Sequence, residues 1–234
     1  MSLAAKPPLV LVAARNEADR IEATLGALMR AFPGAEIWVA DDASDDATAE
    51  VAVACGARVV SRGAPHGKGA NVTAAARAAL DGEPEPALVL LCDGDLGDSA
   101  AELRRLVEAV ADGEADLAIA GFSHRIGGGF GIALRFAGWA IERRCGYRAG
   151  APISGQRAMR GEVLNAVLPF APGYGMEIGI TVDAIRAGYR VLELELDLEH
   201  RATTRTLRGF VHRGRQLRDF IRVWWARRSP VPPG

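Results

Sequence analysis

The run Ala87-Leu88-Val89-Leu90-Leu91-Cys92 stops at Asp93-Gly94-Asp95. A buried strand that ends in two carboxylates one residue apart aims both at the same end of a sheet. Oxygen ligands at such a place suit a hard divalent cation, Mg²⁺ or Mn²⁺, and through it a diphosphate. The plainer reading has Asp93 starting a turn and Asp95 capping a helix near Ser99. Three more polar clusters follow apolar runs: Ala13-Ala14-Arg15-Asn16-Glu17, Asp41-Asp42-Ala43-Ser44-Asp45-Asp46-Ala47-Thr48, and RGAPHGKGAN at 62–71. In an open parallel sheet, ligands bind beyond the carboxyl ends of the strands, so the four clusters converge on one crevice.

Each cluster offers its own chemistry. Asp41 and Asp42 can accept hydrogen bonds from a base imide or a ribose, while Ser44 or Asp45 suits the cap of the next helix. Gly67-Lys68-Gly69 puts an ammonium on a loop before a helix N-terminus, where anions are favoured. It is not a Walker loop, whose spacing is absent, and His66 reads as a loop residue. Further on, Gly173-Tyr174-Gly175-Met176-Glu177 sets a carboxylate at a helix start, which the helix dipole alone would favour. His200 is by itself an ordinary structural histidine, yet beside a carboxylate-bound cation it supplies a nitrogen ligand.

The elements that must carry these residues alternate strictly. Strands are expected at Leu9–Ala14, Glu36–Ala40, Arg58–Ser61, Leu88–Cys92 and Asp116–Ala120. Helices are expected at Glu17–Ala31, Ala47–Cys55, Asn71–Leu80 and Ala100–Ala111. That rhythm is the signature of an α/β, doubly wound, mostly parallel sheet. Gly121–Gly131 breaks it as a glycine-rich, mobile loop. After it come a helix at Ile132–Arg144, a strand at Ile153–Met159, helices at Gly161–Leu168 and Glu177–Ala187, a half-exposed strand at Tyr189–Asp197, and a basic helix at Thr206–Ala226.

Composition bounds the rest. With 234 residues and 49% apolar residues, the chain can build one large core. A net charge of −1 argues against general binding of nucleic acid. The charge is uneven, however: residues 201–228 hold nine arginines and one acid, Asp219, a face suited to phosphate or anionic lipid. Cys55, Cys92 and Cys145 have no paired spacing, which points to a reduced, cytoplasmic chain without a zinc motif. No signal peptide is expected, since Met1–Lys6 leads into Pro7-Pro8 and a strand-like run. No stretch approaches the roughly 18 apolar residues of a membrane span.

Asn16-Glu17, Asp41-Asp42-Ala43-Ser44-Asp45, Gly67-Lys68-Gly69 and Asp93-Gly94-Asp95 (a DXD motif), in that order, resemble family 2 glycosyltransferases of the GT-A fold, over about residues 8–220. Ala13 departs from the usual proline before Asn-Glu. Pro152-Ile153-Ser154-Gly155-Gln156, the 173–179 segment and His200-Arg201 look most like glucosyl-3-phosphoglycerate synthases. Polyprenyl-phosphate sugar transferases share the flavour of Ser154-Gly155-Gln156-Arg157-Ala158. The resemblance implies a single GT-A (Rossmann-like) domain, with a nucleotide-sugar half at 8–120, an acceptor half at 121–205 and a basic helix and tail at 206–234.

By that resemblance Ala14, Glu17 and Asp41 hold the nucleoside, Lys68 lies near the base or diphosphate, and Asp93 contacts the ribose. Asp95 and His200 bind Mg²⁺ or Mn²⁺, Arg201 assists the diphosphate, and Glu177 holds sugar hydroxyls. The implied activity is transfer of a hexose, UDP-glucose being the favoured donor, to a small phosphorylated or lipid-phosphate acceptor. Ser123-His124-Arg125 takes the acceptor-loop position, and Arg125, Arg205 and Arg208 are candidate anion clamps. Rival readings are a nucleotidyltransferase, whose glycine-rich opening loop is missing, and a non-catalytic nucleotide-sugar-binding module. The basic helix, with Phe220, Trp224 and Trp225, either packs on the domain or on a second subunit of a homodimer, or lies peripherally at a bilayer.

Overall fold

The computed structural model describes residues 6–122, 131–198 and 218–228. A seven-stranded sheet is ordered β3-β2-β1-β4-β6-β5-β7. Its strands are β1 (Leu9–Ala14), β2 (Ile37–Asp41), β3 (Arg58–Ser61), β4 (Leu88–Asp93), β5 (Leu117–Phe122), β6 (Arg157–Arg160) and β7 (Val191–Leu196). All pairings are parallel except those of β6, which runs antiparallel to both β4 and β5. The helices are α1 (Ile21–Ala31), α2 (Thr48–Ala54), α3 (Lys68–Leu80), α4 (Arg104–Ala111), α5 (Gly131–Cys145), α6 (Gly161–Val167), α7 (Met176–Arg186) and α8 (218–226).

β1 and β4 are apolar on both faces because both faces are covered. Val10, Val12, Leu88 and Leu90 meet Ile21, Leu25 and Leu28 of α1 and Leu106 and Val110 of α4. On the opposite side Leu9, Leu11, Val89 and Leu91 meet Val72 and Ala76 of α3, Val163 and Leu164 of α6, and Ile180 of α7. A third cluster joins Ala137 and Ile141 of α5, Ile178 and Val182 of α7, and Phe220 and Val223 of α8. The half-exposed alternation expected of the last strand belongs to an edge: among the described residues β7 pairs only with β5.

Several boundaries differ from the sequence reading, and the reasons are local. The first helix begins at Ile21 rather than Glu17, because residues 17–20 form turns anchored on the Glu17 carbonyl. The third helix begins at Lys68 rather than Asn71, after Gly67 at φ 83° makes the bend that a side chain would resist. The segment after Asp95 opens as a 3-10 helix, Gly97–Leu103, before α4. The strand read at Ile153–Met159 lies at Arg157–Arg160, and its first half is a turn. Of the expected helix at Thr206–Ala226, the part at 218–226 is seen, and 206–217 lies outside the described residues, as does 123–130 of the glycine-rich segment. The three cysteines are free, and no described helix is long and apolar enough to cross a membrane.

Candidate active site

Three remote segments meet where β4 ends. The Lys68 ammonium, on the first residue of α3, lies 2.6 Å from Asp93 Oδ1 and 2.9 Å from Glu177 Oε1. Glu177 stands in the first turn of α7 and its side chain is 8% exposed. The amide of Gln156 donates to Asp93 Oδ2 at 2.8 Å, and the Ser154 hydroxyl donates to Gln156 Oε1 at 3.2 Å. The reverse direction of β6 explains this contact. An antiparallel strand starts where its neighbour stops, so the turn before Arg157 is delivered to the tip of β4. At Gly155 a Cβ would come within 2.6 Å of Asp93 Oδ2 and would run into the Lys68 ammonium, so any side chain there would have to displace the ion pair.

Burial alone would lower the Lys68 pKa. Attraction to Asp93 and then Glu177 more than reverses this, and the ammonium is held above its usual range. Just inside the strand, burial pushes the Cys92 thiol far up, with the Asp93 charge adding to it, so the thiol stays protonated and unreactive. Behind the turn, Arg157 is fully buried. Its Nε donates to the Ser154 carbonyl (2.9 Å) and its Nη1 to Thr181 Oγ1 (2.8 Å). Burial lowers its pKa to about 10, with Glu177 and Glu193 opposing the shift, so it remains charged at neutral pH. Thus Arg157 pins the Ser154–Gln156 turn to α7, the helix that carries Glu177.

The acidic cluster after β2 holds the crevice together. Asp41 accepts from Ser61 Oγ at 2.8 Å, from the Ser44 N–H at 3.3 Å and from the Ser44 hydroxyl in a short contact. Asp42 accepts from the His66 N–H (2.7 Å), the Gly67 N–H (3.1 Å) and the Asn71 amide, with the Arg15 guanidinium 3.8 Å away. Asp42 therefore fixes the loop that sets Lys68 in place. Ser44 also accepts from the Asn16 N–H (2.9 Å), and Thr48 Oγ1 from the Glu17 N–H (2.8 Å), which ties the tip of β1 to that of β2. Asn16 and Ala43 both take positive φ, 57° and 54°. The capping role expected of Ser44 or Asp45 is not seen: Ala47 stands at the cap position of α2 without a side-chain cap bond, and the Asp46 carboxylate accepts from the Thr48 N–H at 3.0 Å.

Of the residues singled out from sequence, Ala14, Glu17, Asp41, Lys68, Asp93, Asp95 and Glu177 lie at strand tips or helix starts along one rim of the sheet. Lys68, Asp93 and Glu177 are in direct contact; the Asp95 carbonyl accepts from Arg20 Nη1 at 3.0 Å, fastening it to the start of α1. Arg125, His200, Arg201, Arg205 and Arg208 lie outside the described residues. Among the described residues, no three His, Cys, Asp or Glu side chains are grouped to hold a metal. Ser154, Gln156, Arg157, Ser61 and Asn71 carry no role assigned from the residues alone. The signal for the first three is a polar run, Ser154–Arg157, entering an otherwise apolar strand.

The mostly parallel sheet with one antiparallel strand, flanked by helices, is a GT-A-like fold. Residues 9–167 match the model of "Glycosyl transferase family 2", so the chain belongs to that family and is a glycosyltransferase. It is 28% identical over 214 residues to an undecaprenyl-phosphate mannosyltransferase of Micrococcus luteus, covering 82% of this chain and 84% of that protein. Solved structures of glucosyl-3-phosphoglycerate synthase from Mycobacterium tuberculosis are also similar. One, in complex with Mn²⁺, UDP and glucosyl-3-phosphoglycerate, superposes with a TM-score of 0.78 at 26% identity, covering 100% of this chain and 83% of that one. Another, with Mn²⁺, UDP-glucose and phosphoglyceric acid, gives 0.76 at 26% identity, covering 97% and 81%.

Proposed function

We propose that this glycosyltransferase moves a hexose from a nucleoside diphosphate sugar, UDP-glucose first among donors, to a phosphate-bearing acceptor such as 3-phosphoglycerate. The observation that carries the reading is the Lys68 ammonium seated between Asp93 and Glu177 at the tip of β4. Residues 8–120 form the donor half, with Ala14, Glu17 and Asp41 at the nucleoside and Asp93 at the ribose. Residues 121–205 form the acceptor half, with Arg125 and Arg205 on the acceptor anion, and residues 206–234 a basic tail. The complexes of the Mycobacterium tuberculosis enzyme with UDP, UDP-glucose and Mn²⁺ support the donor and the cation.

The donor set fits Mg²⁺ or Mn²⁺ held jointly with the substrate. Such ions are commonly bound through one or two carboxylates plus substrate phosphates rather than in a cage made wholly of protein. Asp95 would provide the carboxylate and His200 a nitrogen, and an ion held by them would supply positive charge for the leaving diphosphate. The rest falls to side chains: Lys68, and Arg201 from the basic segment, add positive charge on the leaving side. Glu177 accepts hydrogen bonds from sugar hydroxyls. As the C1–oxygen bond to the β-phosphate breaks, an acceptor oxygen bonds to C1. A phosphate oxygen as nucleophile is already ionised and needs no base, whereas the hydroxyl of 3-phosphoglycerate must give up its proton, to a side chain or to the leaving phosphate.

A second reading, a polyprenyl-phosphate acceptor used at the inner face of a membrane, is favoured by the undecaprenyl-phosphate mannosyltransferase among the relatives. Titration calorimetry with UDP-glucose and GDP-mannose, with and without Mn²⁺, tests the donor and the ion. Mn²⁺-dependent binding that Asp95→Ala removes is expected, whereas equal binding of every donor without metal would refute the cation site. A screen of phosphoglycerate against polyprenyl phosphate then separates the acceptors.

A further inference from the structure

We propose that α5 and α8 together form a docking face for an anionic lipid bilayer. Five large apolar side chains are exposed among the described residues, and four of them, Leu134, Trp139, Ile221 and Trp225, lie on these two helices. Their rings form a string that crosses from one helix to the other. Phe136 and Trp139 are 5.5 Å apart, Trp139 and Trp224 5.4 Å, and Trp224 and Trp225 6.0 Å. Arginines frame the string: Arg144 lies 4.0 Å over the Trp224 ring and Arg228 5.1 Å over Trp225.

Packing on the domain accounts for only one side of α8. Phe220 and Val223 are buried in the third core cluster, and Arg227 Nε donates to Asp183 Oδ1 of α7 at 2.7 Å. The opposite side meets solvent with Arg218, Ile221, Arg222, Trp225 and Arg228, which recur at helical spacing. A face that served only solubility would carry no Ile221 at 46% and no Trp225 at 57% exposure. Half-exposed tryptophans among arginines are the composition of a membrane–water interface. Of the acids nearby, Glu142 is paired with Arg148 at 2.8 Å and Asp219 with Arg218 at 3.6 Å, and the exposed Arg222 and Arg228 add positive charge beyond these pairs. Charge complementarity favours anionic lipid over a second copy, which would bring these arginines against one another.

The face is fixed relative to the crevice. A Cβ on Gly173 would run into the Asp219 carboxylate and one on Gly175 into Val223, so α8 is seated directly on the segment that leads to Glu177. The inference stands without the donor or the acceptor assignment. Should the second, polyprenyl-phosphate reading of the acceptor also hold, this face would set the crevice beside the membrane that carries it.

Flotation of the full chain with phosphatidylcholine vesicles, with and without phosphatidylglycerol, tests it. Ile221→Ser with Trp225→Ser, and separately Arg218→Glu with Arg222→Glu, alter exposed side chains, and circular dichroism checks that each variant folds. The wild type should float with the anionic vesicles only, less so at high salt, and with a blue-shifted tryptophan emission. Each double variant should lower the partition coefficient by about tenfold or more, with UDP-glucose binding unchanged. Equal recovery with and without anionic lipid would overturn the proposal. So would variants that float like the wild type, or a dimer that the apolar variant splits while no vesicle is bound.

Discussion

Replacing Lys68 by Met probes the ion bridge most directly. Each contact, at 2.6 and 2.9 Å, corresponds to a gross attraction of about 6 kcal/mol at an effective dielectric constant of about 20. Desolvation of an ammonium that is 22% exposed offsets several kcal/mol of that. The substitution also takes away the ammonium that lies between the Asp93 and Glu177 carboxylates. Removing one partner of a buried pair costs about 3–5 kcal/mol. Asp93 retains 29% exposure and its Gln156 hydrogen bond, which brings the expectation to about 2–4 kcal/mol. For a chain of this length that is a fall in Tm of about 5–12 °C.

Urea titrations of Lys68→Met, Glu177→Gln and the double variant measure the coupling. Neutralising Glu177 should recover about 1–2 kcal/mol in the Lys68→Met background, because the repulsion it relieves exists only there. If the two single effects add to within about 0.5 kcal/mol, or if Lys68→Met leaves Tm unchanged, the bridge contributes nothing and the proposed crevice loses its anchor. The sign with pH follows from the raised pKa of Lys68. Its contribution is fully present below the ordinary value of 10.5 and is lost as pH climbs through the raised one.

Gly155→Ala should cost about 1–3 kcal/mol and loosen donor binding in calorimetry, since the added methyl has no room beside Asp93 and Lys68. Tyr147→Phe removes a 3.1 Å bond to Glu193 and about 0.5–1 kcal/mol of stability. Burial, then Glu193, raises that hydroxyl from 10.0 to about 12, so the unfolded chain releases the proton first and wild-type stability falls as pH rises between them. The wild-type advantage over the Tyr147→Phe variant, followed by urea titration, should therefore shrink above pH 10.0. Ala43→Gly should raise stability by about 0.5–1 kcal/mol, because φ 54° is strained for alanine and not for glycine; a loss on melting would show that the alanine methyl is needed.

The strand tips were legible because burial on both faces writes itself as continuous apolar sequence, as in Leu9–Ala14 and Leu88–Cys92, and the first polar residues after such runs mark the rim. Direction is not written in this way. Nothing in Arg157–Arg160 says that the strand runs antiparallel, and without that the Gln156–Asp93 contact is invisible. The same limit hid the partner of Lys68, since a loop lysine and a first-turn glutamate declare their pairing only once α3 and α7 are packed on one face of the sheet. By its type alone, Asp42 reads as a ligand group. Its hydrogen bonds to the His66–Gly67 backbone give it a positioning task that depends on where a remote loop returns.

The family match ends at residue 167, and that boundary divides the crevice. Lys68, Asp93, Asp95 and the acidic cluster after β2 lie within it, whereas Glu177, α7 and α8 lie beyond it. The matched region thus supplies one carboxylate and the ammonium of the ion bridge, and the other carboxylate comes from a segment outside the match. That outer segment is held in three ways: by Arg157 from β6 through Thr181, by Asp183 pairing with Arg227, and by α8 resting on Gly173 and Gly175. A disturbance of α8 therefore reaches Glu177 through packed backbone rather than through a mobile side chain.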